Sequence, residues 1–521
     1  MSEQKMSSWR AVGVALRSWR TASVSLLSFS SGLPLGLVWI AIPTWLAREG
    51  VDIKVIGLFT LVQAPWSFKF LWSPLMDRYA IPLPGMGRKL GWTLVAQVAL
   101  LATTLSLAGV SASPDAIWVV GSLTLAIALA SATQDIAIDA YAVEVLRPQE
   151  QGAAVGARIA LYRAAMFVAG GWAITMAGIW SWQAVFVFLA VLYVPMAVVT
   201  VLAPRPETEQ HPAPTSLRAA VWEPFLGFLS KPRALELLAF VILYKLADNL
   251  GGALVRPFLV QTGFDDFDVG IATATIGLTA TLLGTFLGGI LTTAMGLGNA
   301  LWAFGILQVL SNAGYVAIAE VGANRPLMYA AMGFESLTSG MGTGAFSVLL
   351  LRMTQKRFSA TQYALFSSLF ALPRLLAGPI TGVMVDAMGW RDFFLFTIGI
   401  GIPGMLMLQR FSPIGVREPE LESGDEGASQ ARVLTRAELM RRALIGAGAG
   451  LAVAVAVMLL LAVLRQHKLA PGEPFDITAN IWAILVPTDL GAALGLFGAL
   501  LFAAVVALMV AAAAAARGRR S

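Results

Sequence analysis

Long apolar runs alternate with short polar breaks along the chain. A helix needs roughly 20 residues to cross a hydrocarbon core about 30 Å thick, and runs of that length begin at Thr21 and recur almost to the C-terminus. They predict spans at 21–47, 53–76, 90–112, 116–145, 153–178 and 181–203, then at 234–261, 267–294, 298–320, 326–353, 359–387 and 390–411. Two more follow at 441–464 and 482–514. The stretch 204–233 is polar and proline-rich, which reads as a linker between two six-helix halves. A second linker, 412–440, sets off the last pair. The expected architecture is an all-α polytopic membrane protein: an N-terminal tail at 1–20, halves at 21–203 and 234–411, and two additional helices with a basic end within 441–521. The first run is read as a retained helix, because it is longer than a signal peptide's apolar region and carries Gly32-Leu33-Pro34 at its centre.

Composition agrees with this pattern. Hydrophobic residues make up 57% of the chain and charged residues 13%, against about 25% charged in soluble domains. The net charge of +6 would suit nucleic acid if it were gathered on one segment, but the cations are spread over many short loops, which fits orientation in a bilayer and no nucleic-acid partner. With the N-terminus cytoplasmic and cations near a span end counted with the nearer side, 25 of the 36 Lys and Arg residues fall on the cytoplasmic side, 6 outside and 5 deep within spans. The positive-inside rule therefore places both termini in the cytoplasm. There is no cysteine, which excludes thiolate chemistry and disulfides. The two histidines, His211 and His467, are expected in polar connections, so no metal, cofactor or intramembrane histidine relay is expected.

An internal repeat supports the two halves. Displaced by 208 residues, Leu161 matches Leu369, Ala169 matches Ala377, Gly170 matches Gly378, Trp182 matches Trp390 and Pro195 matches Pro403 without a gap. Repeated halves are how many secondary transporters build a central site that opens to each side in turn.

Charges inside apolar helices are costly, so they face the bundle interior, pair, or take up protons. Span 4 holds Asp135 and Asp139, four apart and so on one helix face. They are candidate proton carriers, or partners in a static pair with Lys69 or Arg163. The interior cations are Lys69, Arg163, Lys245, Arg256 and Arg374. Arg163 and Arg374 fall one turn apart in the repeat register, and two guanidiniums from opposite halves would suit an anionic substrate, since arginine holds a carboxylate bidentately. Lys245 and Asp248, three apart, either line the cavity or neutralise each other; Arg256 sits where it could snorkel. Glu335 precedes a run of small residues and reads either as a cavity acid or as a hydrogen-bonded packing residue. Trp39 is a candidate stacking surface. The loop after span 2 carries Asp77, Arg78, Arg88 and Lys89. It resembles the major facilitator signature between helices 2 and 3, in which the acid and its cations form a cytoplasmic gate.

Several segments in order, Ser31-Gly32-Leu33-Pro34-Leu35, Phe68 through Tyr79, Ser131 through Ile136, Phe304 through Gln308 with Ser311 through Tyr315, and Phe358 through Tyr363, resemble the AmpG muropeptide permeases of the major facilitator superfamily. Related acetyl-coenzyme A and siderophore transporters share the Lys69 and Asp77 segment. The resemblance implies proton-coupled import of anhydromuropeptides, a disaccharide bearing a short peptide, for peptidoglycan recycling and, in some bacteria, β-lactamase induction. It implies a bacterial inner membrane as the location and carries over Lys69, Gln134, Asp135, Asp139, Arg163, Lys245, Asp248, Glu335 and Arg374 as candidate cavity residues, while Trp39 departs from the family's smaller, more polar residues in span 1. Read by their chemistry, Lys69, Gln134, Arg163, Lys245, Arg374 and Trp39 are the expected substrate set, and Asp135, Asp139, Asp248 and Glu335 the expected proton set. The partners are then a small anionic solute, protons and the bilayer, with the chain acting as a monomer. A membrane transferase would need a catalytic base with a metal or activated-donor motif, and a receptor would need a sensor domain; neither is visible in the sequence, and no enzyme activity is expected.

Overall fold

The computed structural model describes Gly13 and residues 17–52, 55–56, 59–83, 85–110, 116–206, 214–229, 233–419, 435–469, 475–488 and 490–517. The described chain is helical almost throughout. In the first half, α1 (Trp19–Arg48) is followed by the short helices α2 (Ala64–Phe68) and α3 (Ser73–Arg78). Then come α4 (Arg88–Ala108), α5 (Ile117–Val145), α6 (Pro148–Ala177) and α7 (Trp182–Leu202). The linker contains α8 (Leu217–Leu229). The second half is α9 (Ala234–Gln261), α10 (Phe267–Met295), α11 (Leu297–Val321), α12 (Arg325–Met353) and α13 (Ser359–Phe411). The chain closes with α14 (Arg436–Leu469), α15 (Ile477–Leu485) and α16 (Leu490–Arg517).

Eleven of the described helices are long and apolar enough to cross a membrane, and all fourteen expected runs are helical in whole or in part. The run expected at 53–76 is not one straight helix. Pro65 and Pro74 each sit in the first turn of a short helix, where a missing N–H costs least, and the segments are joined by 3-10 turns at Phe59–Gln63 and Lys69–Leu71. Spans 11 and 12 run together as α13, broken only at Gly389, whose φ of 79° is a left-handed conformation that favours glycine. The linker itself packs on the bundle, with Phe228 of α8 on Phe366 of α13, ring centroids 4.8 Å apart. One reading is corrected. His467 falls in the last turns of α14 rather than in a connection, while His211 lies outside the described residues.

Glycines set how closely the helices approach. A Cβ at Gly32 or Gly36 of α1 would meet the carbonyl oxygens of Tyr162 and Met166 on α6. Gly289 of α10 leaves equally little room beside Gly152 and Gly156 of α6, so the two halves cross backbone to backbone there. A buried cluster at the same end draws on both halves, with Leu27, Tyr141, Phe240, Phe346 and Phe366. Large apolar side chains such as Trp118, Leu202 and Leu406 point outward and are 83%, 62% and 66% exposed, which water would penalise and lipid does not. The last hairpin packs through Gly446 and Gly450 of α14 against α16. It meets the bundle where Phe497 of α16 sits edge-on to Phe68, 6.0 Å away.

Candidate functional site

In the first half, Asp139 is the centre of a charge cluster. Arg158 of α6 donates to its Oδ1, and Lys69, in the 3-10 turn after α2, lies 3.5 Å from its Oδ2. The three side chains are only 12–15% exposed, so the ions satisfy each other largely out of water. Arg158 also donates to Ser28 of α1 at 3.2 Å, and Tyr363 of α13 reaches it from the other half. Asp135, one turn before Asp139, hydrogen-bonds Ser31, while its Oδ1 is buried with no partner.

Gln134 is fully buried and engaged with α1: Ser30 and Gln134 exchange hydrogen bonds at 3.1 and 3.3 Å. Gln97 and Thr200 continue that network to α4 and α7, so the amide joins helices of one half. Arg163 is half-buried, with Nη1 4.0 Å from Met166 Sδ. Arg374 lies on α13, and its side chain is outside the described residues. Trp39 is 40% exposed and meets Trp66 edge-on at 6.1 Å.

The second half has its own cluster. Lys245 is 2% exposed; it donates to Asp248 Oδ2 at 2.9 Å and to the Ser339 carbonyl at 3.3 Å. Asp248 also accepts from Ser339 Oγ at 3.0 Å. The expected alternative of mutual neutralisation is thus what the geometry has, with Ser339 of α12 as a third member. Glu335 accepts from Ser336 Oγ at 3.3 Å and pairs with Tyr315 of α11.

Asp77 joins the halves. Its carboxylate is fully buried and accepts from the amides of Ala360 and Thr361, at 3.2 and 2.9 Å, and from Thr361 Oγ1 at 2.7 Å. Those amides open α13, whose N-cap residue, Phe358, has no side-chain acceptor to offer. A helix start leaves bare N–H groups that favour an anion, and here the other half supplies it. Lys89 pairs with the same carboxylate and donates to the Met76 carbonyl at 3.1 Å. Arg88 donates to the Asp77 main-chain oxygen, and Arg78 stacks over Tyr79. Around this point Glu144 accepts from Ser359 Oγ at 2.5 Å, Arg352 donates to Gln151 at 3.0 Å, and the Ala153 amide donates to Thr293 Oγ1 at 3.0 Å. The Asp77 bonds to α13 and these last three join the halves at the end that carries the linker. Arg158, Ser359, Thr361 and Tyr363 were not among the expected site residues. Ser359, Thr361 and Tyr363 lie in the segment 358–363 that carried the resemblance, and Arg158 lies inside the span expected at 153–178, which were the advance signals for them.

The Major Facilitator Superfamily profile matches residues 24–251. The chain is 41% identical over 391 residues to the anhydromuropeptide permease of Escherichia coli (strain K12), covering 75% of this chain and 79% of the relative. It is 29% identical over 401 residues to putative transporter AmpG 4 of Rickettsia conorii, covering 75% and 96%. Among solved structures, the human organic anion transporter MFSD10 superposes with a TM-score of 0.53 at 17% identity, covering 78% of this chain and 100% of that one. A bacterial homologue of the iron transporter ferroportin, in an outward-facing state, gives 0.55 at 13% identity, covering 75% and 98%. These two likenesses concern the fold alone. With both halves built on that fold and close sequence identity along three quarters of its length, the chain belongs to the AmpG permease family of the major facilitator superfamily, and it is a multi-pass membrane transporter rather than an enzyme.

Proposed function

We propose that this transporter carries anhydromuropeptides from the periplasm to the cytoplasm in symport with protons. The observation that carries the reading is the 41% identity to the Escherichia coli anhydromuropeptide permease. The site chemistry supports it: a muropeptide is anionic, and the two halves hold Arg163 together with Lys69 and Arg158 beside Asp139, and Lys245 beside Asp248, inside the bundle. Trp39, partly exposed against Trp66, offers a face on which a sugar ring can stack. An anion moving inward opposes the membrane potential by about 2.3 kcal/mol per charge per 100 mV, so co-transported protons are needed to drive accumulation. The excess of Lys and Arg on the linker side supports a cytoplasmic position for that end, and on this reading the clasp around Asp77 closes the cytoplasmic side. The test is uptake of radiolabelled anhydromuropeptide into proteoliposomes, with and without an inward proton gradient. Gradient-dependent accumulation, competed by unlabelled muropeptide and not by acetyl-coenzyme A, is expected; no accumulation in either condition would refute the reading.

A further inference from the structure

The acids inside the bundle differ in how completely they are satisfied. Asp139 has Arg158 and Lys69. Asp248 has Lys245 and Ser339. Glu335 has Tyr315 and Ser336, and Glu144 has Ser359 with Lys89 at 3.8 Å. Asp135 differs from these: its second oxygen is buried without a hydrogen-bond partner, and Ser31 is the donor to its carboxylate. An unpaired buried acceptor is costly, and a proton on that oxygen removes the charge, which is the costlier part of burying it.

Resting on the symport reading, we propose that Asp135 is the group that takes up the transported proton. Lys69, Asp139 and Arg158 are the fixed charges that turn its protonation into a signal for anion binding. Ionised, the four side chains sum to zero charge. With a proton on Asp135 the cluster carries one net positive charge, and an incoming carboxylate then meets a cation where it previously met a neutral group. Proton and anion thereby favour each other's binding, which is the reciprocity a symporter requires. Arg158 is a positioning residue: together with Lys69 it occupies both oxygens of Asp139 and leaves Asp135 as the acid with a bare oxygen. The groups facing Asp135 are Asp139 on its own helix, Lys69, Arg158 and Tyr162 of α6, and Tyr193 of α7. Arg163 reaches the same neighbourhood through Tyr162. No other acid lies in that set.

The measurement uses the full-length protein in proteoliposomes loaded with a pH indicator and supplied with radiolabelled anhydromuropeptide. For wild type, muropeptide entry should bring acidification of the lumen, and muropeptide exchange should depend on pH. Asp135→Asn should lose the lumenal acidification and the pH dependence of exchange while exchange itself persists. Arg158→Gln should displace the pH midpoint of exchange, and Arg158→Lys should restore it, which a purely structural arginine would not do. If Asp135→Asn does not fold, Ser31→Ala decides the matter: removing the donor to Asp135 should move the pH midpoint, and an unchanged midpoint overturns the proposal. Persistent muropeptide-linked acidification in Asp135→Asn overturns it as well. Wild-type transport with no proton movement would instead refute the symport reading.

Discussion

Replacing Asp77 by Asn tests whether the clasp holds the linker end shut. The substitution keeps the side chain's shape and one oxygen, but removes the charge and turns an amide NH2 toward the Ala360 and Thr361 donors. Hydrogen bonds to a charged acceptor are worth about 1.5–3 kcal/mol each, against about 1 for neutral pairs. The Lys89 pair is internal to one half and survives opening, so only the contacts to α13 count toward the closed state. A loss of about 2–3 kcal/mol from that state corresponds to a roughly 30- to 150-fold shift toward opening of the linker end. The chain has no cysteine, so a single cysteine at Thr293, in the seam where the Ala153 amide donates to it, reports that opening through its rate of maleimide labelling. Asp77→Asn should raise the rate and Thr361→Val, which deletes only a hydroxyl bond, should raise it less. Equal labelling in wild type and Asp77→Asn would show that the contacts do not govern the conformation.

Gly289→Ala should also loosen the linker end, because its methyl meets the Gly152 carbonyl across the seam. Overpacking costs about 1–3 kcal/mol, and labelling of a cysteine at Ser359 should rise. Gly284→Ala, which meets Leu337 within one half, should lower the melting temperature without changing that labelling. Arg163→Lys and Arg374→Lys should weaken muropeptide binding with little loss of thermal stability, checked by calorimetry and melting; normal binding by both would remove them from the substrate site. At the far end, the Asp268 amide, followed by Arg325, holds the Asp265 carboxyl below the usual carboxylate range. Its contribution is present above the unfolded pKa and is lost as pH falls through the folded value. Hydrogen exchange at 265–270 should therefore accelerate only at the acid end, and Asp265→Asn should flatten that dependence.

Helix positions and the importance of Asp77 were legible because they rest on local properties: run length, prolines, and an acid at a helix end beside cations. What Asp77 binds was not legible. Thr361 lies 284 positions away, and nothing local to either residue announces that an N-cap phenylalanine leaves amides for a distant carboxylate. Lys69 and Asp139 were both recognised as interior charges, but the partners suggested were Lys69 or Arg163 rather than Lys69 together with Arg158, and the two aspartates looked alike. Only three-dimensional packing separates a doubly paired acid from one with a bare oxygen. Gln134 illustrates the opposite difficulty, since a polar residue in an apolar helix reads as a cavity group whether it faces ligand or, as here, a neighbouring helix's serine.

The π-helical turns have a practical consequence. One lies at Leu37–Ala41 in α1 and another at Val168–Trp172 in α6, and they adjoin, with Ile40 filling the space that Gly170 leaves open. A π turn inserts one residue into a helix of 3.6 residues per turn, so the faces before and after it are offset by about 100°. A scan that steps every fourth or seventh residue from Arg158 would leave its starting face once it passed Trp172. Register on α1 and α6 has to be restarted beyond these turns. For the same reason, moving the extra residue along either helix would rotate only the segment between its old and new positions, by about 100°, and leave the two ends in their original register.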